Sequence, residues 1–111
     1  MERRFPARRV NTFDEICFAG DYYGPTIECN AAGEQTGRGV WFLLPLHEGD
    51  NVYARPTPGS GLHRVSEPPW TFRECSDGSL EIRASILCGR TDDNPEGYFH
   101  GYLDEGNVWR Y

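Results

Sequence analysis

The sequence predicts an all-β protein, a compact antiparallel sandwich or barrel with at most one short N-terminal helix. Three observations lead there. Short stretches alternate apolar and polar residues, clusters of Gly, Pro, Asn and Asp punctuate them at short intervals, and no heptad, internal repeat or low-complexity tract interrupts the pattern. At 111 residues the chain has material for one core, because two would each approach the size at which burial alone hardly sustains folding. Fifteen aromatic residues imply that large rings fill that core.

Taken in order, residues 1–9 hold four arginines against Glu2. They read as a basic N-terminal arm ahead of a single β-rich domain over residues 10–111. Thr12 and Glu15 have capping-box spacing before Gly20, which supports one or two helical turns, with a short strand as the competing reading. Residues 22–29 are β-prone but interrupted by Gly24-Pro25, residues 30–33 read as a turn, and the apolar run 40–46 predicts a central strand. A shorter strand is expected at 51–55 and a Gly- and Pro-rich loop at 56–61. The clearest local signal is a hairpin: residues 70–75 and 80–86 both alternate, and Ser76-Asp77-Gly78 joins them with Gly last. Residues 92–97 form another loop, and a final hairpin turns on residues 104–107.

Charge and composition exclude several functions. The arm carries +3, so the rest of a chain with total −6 carries −9. An acidic body repels phosphate backbones, which leaves nucleic acid only the arm to touch. Eleven arginines and no lysine remove any Lys nucleophile, Schiff base or P-loop. The longest apolar run breaks at Pro45, far short of a membrane span. The basic N-terminus is followed by Asn11, Thr12, Asp14 and Glu15 rather than an apolar segment, so the chain is expected to fold in the cytoplasm, with Cys17, Cys29, Cys75 and Cys88 reduced and buried.

The C-terminal segment Phe99-His100-Gly101-Tyr102-Leu103-Asp104-Glu105-Gly106-Asn107-Val108-Trp109 resembles the ending of small uncharacterised proteins of bacteriophages and their actinobacterial hosts. Their signature is aromatic-His-Gly-x-Leu-x-x-Gly followed closely by Trp. Upstream, Glu81-Ile82-Arg83-Ala84-Ser85-Ile86-Leu87 after Trp70 and Asp77-Gly78 is similar to a family strand that has Pro where this chain has Ala84. The family's closely spaced N-terminal cysteine pair has no counterpart here. The resemblance spans roughly residues 39–111. It implies an accessory phage-type protein, located in the host cytoplasm or the virion, with no established activity.

Of the candidate chemistry, His100 stands out, since Gly101 beside it would let a ligand or backbone approach. A cross-strand hydrogen bond holding the hairpin in register is the competing role. The cysteines with His47, His63 and His100 would suffice in number for zinc, but none has the spacing of a zinc knuckle, so no metal is expected. Ser60 lacks a nucleophile elbow, and the pairs Asp92-Asp93 and Asp104-Glu105 read as solvated turn residues, so no catalytic residue and no cofactor are assigned. Tyr22, Tyr23, Tyr53, Trp70 and Tyr98 form either a stacking platform or, more simply, core. Two functions follow. The first is a non-catalytic protein that binds a larger assembly, such as a virion component, or a host factor, through Arg3, Arg4, Arg8, Arg9 and exposed aromatics. The second is a protein that binds, sequesters or hydrolyses a small anionic ligand such as a nucleotide in a pocket near His100, Gly101, Trp70 and Trp109.

Overall fold

The computed structural model describes residues 2–45, 62–88, 92–93 and 99–111. In chain order its strands are β1 (Arg4–Pro6), β2 (Arg8–Arg9), β3 (Asp21–Cys29), β4 (Gln35–Leu43), β5 (Leu62–Glu67), β6 (Thr71–Glu74), β7 (Leu80–Cys88), β8 (Phe99–Asp104) and β9 (Val108–Arg110). They form two sheets packed as a β-sandwich. The first sheet runs β1-β9-β8-β7-β6 and the second β2-β3-β4-β5. All neighbours are antiparallel except β2 and β3, which are parallel. The expected helix reduces to a single 3-10 turn at Phe13–Glu15. The Thr12 hydroxyl bonds the Glu15 carboxylate at 3.0 Å instead of capping a backbone N–H.

Alternation explains the core. Tyr22, Val40, Phe42 and Val65 of the second sheet meet Phe72, Leu80, Ile82, Ile86, Phe99, Leu103 and Trp109 of the first. The rings interlock: Trp109 lies 5.2 Å from Phe42 and meets Phe99 edge-on at 5.9 Å. The hairpin of β6 and β7 forms as its sequence predicts, with Gly78 at φ +87 in the turn. The apolar run is interior to its sheet, but its strand ends at Leu43. Strand β5 was not signalled, because His63, Arg64 and Ser66 dilute its apolar positions. The expected strand at 51–55, the loop at 56–61 and most of the loop at 92–97 lie outside the described residues.

The largest correction concerns the arm. Residues 4–9 are woven into both sheets: Phe5 pairs with Trp109, and Arg9 with Tyr22. Phe5 and Ala7 pack on the core while Pro6 and Arg8 face outward. This period-two burial was hidden by four arginines that suggested a solvated tail. The chain changes sheets at Ala7, whose N–H donates to the Asn107 carbonyl at 2.9 Å.

Polar groups in the core are tied across the sheets. The Tyr22 hydroxyl donates to Asn107 Oδ1 at 2.5 Å and accepts the Leu80 N–H at 3.1 Å. The Trp109 indole N–H donates to the Gly20 carbonyl at 2.9 Å. Among the described residues no buried side-chain nitrogen or oxygen lacks a partner.

Deletion of residues 2–9 removes β1 and β2, and the expected outcome is loss of the cooperative urea transition. Tyr22→Phe leaves the Leu80 N–H buried without an acceptor and is expected to cost about 1–3 kcal/mol in urea unfolding. Burial pushes the Tyr22 phenol up to about 12 from an ordinary 10.0. Folding therefore favours the protonated form, and its contribution is full below pH 10 and declines as pH rises from 10 toward 12. Stability measured across that window should fall more steeply in the wild type than in Tyr22→Phe.

Candidate functional site

The residues singled out from sequence do not converge. Trp109 is fully buried and faces the core. Trp70 packs against the core and donates its indole N–H to the Ser85 carbonyl at 3.2 Å. Gly101 serves packing: a Cβ there would collide with the Arg110 carbonyl and come within 2.6 Å of the Tyr111 Cβ. His100 lies exposed on the outer face of the first sheet, with Nε2 3.1 Å from Ser85 Oγ across the sheet. Beside it is an open hollow of about 260 Å³ bordered by Glu2, Tyr102, Arg110 and Tyr111.

Of the four N-terminal arginines, Arg8 and Arg9 have their guanidiniums bound into the fold. Arg3 exchanges backbone hydrogen bonds with Tyr111, and Arg4 lies 3.4 Å from Glu2 on the surface. Arg8 grips the buried Asp21 carboxylate through Nε at 2.9 Å and Nη2 at 2.7 Å. Burial alone would push the Asp21 carboxyl up, yet Arg8 and the N–H groups of Phe18 and Cys17 together hold it below its ordinary range. Arg9 crosses between the sheets, with Nη atoms 2.6 and 2.7 Å from the Glu74 carboxylate of β6 and 2.8 Å from the Gly24 carbonyl. The bidentate fork suits this position because it satisfies two donors at once.

The outer face of the first sheet is a closed electrostatic ladder. Tyr102 on β8 lies between β7 and β9, which bring the Arg83 and Arg110 guanidiniums to 5.2 and 4.3 Å from its ring centroid. The same two arginines bond the two oxygens of Asp104, each at 2.7 Å. Burial raises the Asp104 carboxyl, and Arg110 and Arg83 outweigh it, leaving it below the usual range. Asp104 is thus a strand residue clamped by two cations, not a solvated turn residue, and the ladder continues through Glu81 to Arg73. Every cation here already has its carboxylate, so the hollow beside His100 offers no free positive charge from Arg110.

The outer face of the second sheet differs. Opposite the inward phase of Tyr22, Val40, Phe42 and Val65 stand Tyr23, Trp41 and Arg64, in register with one another. Residues 11–19 fold over part of this face and seat Phe13 edge-on against Trp41 at 5.3 Å. Arg64 stacks on Trp41 at 5.3 Å and Arg8 on Phe18 at 5.4 Å. Phe13 and Phe18 remain 44% exposed, and Leu62, on the same phase as Arg64, 39%. These residues escaped the sequence reading, although one signal was present: Trp41 sits on the outward phase of an otherwise buried strand.

Among the described residues the cysteines are unpaired, and Cys17 is half-buried and Cys29 exposed, against the expectation that all four are buried. One group has donor atoms within 4.8 Å of each other, Cys75, Asp77 and Glu105. Asp77 accepts the Ser79 N–H and hydroxyl at 2.9 and 2.5 Å, and Arg73 lies 3.5 Å from Glu105, so an arginine supplies the cation. Of the cysteines and histidines weighed for zinc, Cys75 alone belongs to this group among the described residues, and His47 lies outside them. Of the residues weighed as a stacking platform, Tyr22 is core, Trp70 packs against the core, Tyr23 stands opposite Trp41 on the other phase, and Tyr53 and Tyr98 lie outside the described residues. Among the described residues no helix is long and apolar enough to cross a membrane. No family model, no curated protein and no solved structure matches the chain.

Asp104→Asn should cost about 1 kcal/mol near neutral pH by loosening both arginines. Because the Asp104 carboxyl is held low in the folded state, its contribution is full above the ordinary carboxylate range and lost as pH falls below it. The stability difference between wild type and Asp104→Asn should therefore shrink as urea titrations move from pH 6 to below about pH 3.

Proposed function

We propose that the chain is a non-catalytic, phage-type accessory protein that docks on a larger protein assembly through the outer face of its second sheet. The observation that carries this reading is the pairing of half-exposed Phe13 and Phe18 with Trp41, Arg64 and Arg8 on one surface. Aromatic residues and arginine are enriched at the centres of protein interfaces, where flat rings bury much area at small entropic cost. The guanidiniums stacked on those rings are held in place, Arg8 by Asp21 and Arg64 by Glu28 at 3.4 Å, and their side chains stay about half exposed, so the partly wet rings and not unpaired charge set this face apart. The other sheet supports the contrast, since its cations and carboxylates satisfy each other.

The partner contacts come from this face and not from a loose basic arm, since Arg4–Pro6 and Arg8–Arg9 are strands and the Arg8 and Arg9 guanidiniums are bound to Asp21 and Glu74. The test is affinity capture from infected-cell lysate, identification of the retained protein, and titration of that purified protein by calorimetry. The double variant Phe13→Ser/Phe18→Ser should lose at least about tenfold in affinity with an unchanged melting temperature. Tyr102→Ala, on the opposite sheet, should bind as the wild type does. Equal affinity of the double variant would sink the reading.

A further inference from the structure

We propose that the free edge of β3 is a self-association site, at which two copies of the chain pair antiparallel about a two-fold axis at Ile27. Strand β3 is nine residues long, but β2 pairs only with its first two, Asp21 and Tyr22. Among the described residues no strand lies against the rest of that edge.

Register fixes which backbone groups face outward. The Tyr22 carbonyl points to β2, where it accepts the Val10 N–H at 2.9 Å. Tyr22 and its opposite residue Phe42 are therefore not the pair that exchanges bonds. Counting along β4, the bonded pairs are Tyr23 with Trp41, Thr26 with Gly39 and Glu28 with Gly37, and Ile27 falls between them. The far edge agrees in phase: Ser66, opposite Gly39, turns its carbonyl away from β4 to the Trp70 N–H. The N–H and C=O of Ile27 thus face the open edge. Its side chain is 68% exposed, more than any other large apolar residue described.

Free edges are ordinarily guarded by charge, proline or a bulge. Here Pro25 and one irregularity lie before Thr26, and a second irregularity falls after Glu28, where the extra residue is Thr36 of β4, so segment 26–28 is regular. Glu28, the one charge from 26 to 29, turns onto the sheet face toward Ser66 Oγ at 2.8 Å and Arg64 at 3.4 Å. What the edge accepts is another strand, and β3 is complementary to itself. Antiparallel pairing centred on Ile27 sets it against the partner's Ile27, which exchange two main-chain hydrogen bonds, and sets Thr26 against the partner's Glu28. Continuing outward, the strand brings the partner's Asn30 and the partner's Ala31 toward Gly24 and Tyr23. At that place the structure has an open hollow of about 380 Å³, bordered by Arg9, Asn11, Gly24, Pro25, Thr26 and Gly78. The arriving turn, Asn-Ala-Ala-Gly in sequence, is small enough to enter it.

The contact is isologous and closes after two copies. An axis normal to the sheet leaves both Trp41 faces on one side of an eight-stranded sheet, though the association does not depend on what those faces bind.

Sedimentation equilibrium from about 1 µM to about 0.5 mM tests this. The expected result is a monomer–dimer equilibrium that Ile27→Lys weakens at least about tenfold, while Leu87→Lys, at an exposed apolar residue of the other sheet, leaves it unchanged. Hydrogen exchange on the wild type gives a readout that does not depend on a variant folding: the Ile27 amide should be protected in concentrated samples and exchange freely in dilute ones. A monomer throughout the range, a dimer indifferent to Ile27→Lys, or an Ile27 amide insensitive to concentration would each overturn the proposal.

Discussion

The hydroxyl of Tyr22 is the tie on which the sandwich depends. It starts on the second sheet, crosses the buried core and ends between the backbone at Leu80 and the side chain of Asn107 on the first. A phenol buried among aromatic rings would be destabilising without partners, so the two hairpins of the first sheet must deliver a donor and an acceptor to one point. That requirement aligns the turn before β7 with the turn before β9, where Asn107 adopts φ 59. The same two turns are joined again where the Gly106 N–H meets Ser79 Oγ at 2.9 Å.

The N-terminal segment completes what the Tyr22 tie begins. By passing from β1 to β2 it closes one side of the sandwich, and on the other side the chain passes from β5 to β6, where Glu67 receives the Phe72 N–H at 2.8 Å and Arg38 at 2.6 Å. Arginines reinforce these crossings: Arg9 of β2 reaches Glu74 of β6 in the other sheet, and Arg38 of β4 holds Glu67, its neighbour on β5, beside the passage to β6. Their use suits a chain without lysine, since a planar fork can hold a carboxylate bidentately where an ammonium cannot.

The two outer faces have diverged in character although both are rich in arginine. On the first sheet Asp104 and Glu81 sit among Arg73, Arg83 and Arg110, and the charges cancel locally. On the second, arginines lie over Trp41 and Phe18, and the aromatic surface stays partly in contact with water. Exposed aromatic area is an association surface in a way that an internally paired ion ladder is not.

Local pattern alone determined the β class, the aromatic core and the hairpins around Gly78 and Gly106, because turn chemistry and period-two burial are properties of neighbouring residues. The strand of His63 and the parallel pair of Arg8 and Arg9 were not legible, since their stabilising partners lie elsewhere in the sequence. The final hairpin is legible in the sequence, but it lies inside its sheet, with β1 outside β9, and the roles within it are set by facing: Trp109 points inward, His100 outward, and Gly101 leaves room for Tyr111. Whether Arg9 was a loose cation or a bridge was decided only when the fold brought Glu74 to it, sixty-five residues away. A residue type fixes what a side chain can bond, and tertiary structure alone decides which partner arrives and how much water remains between them.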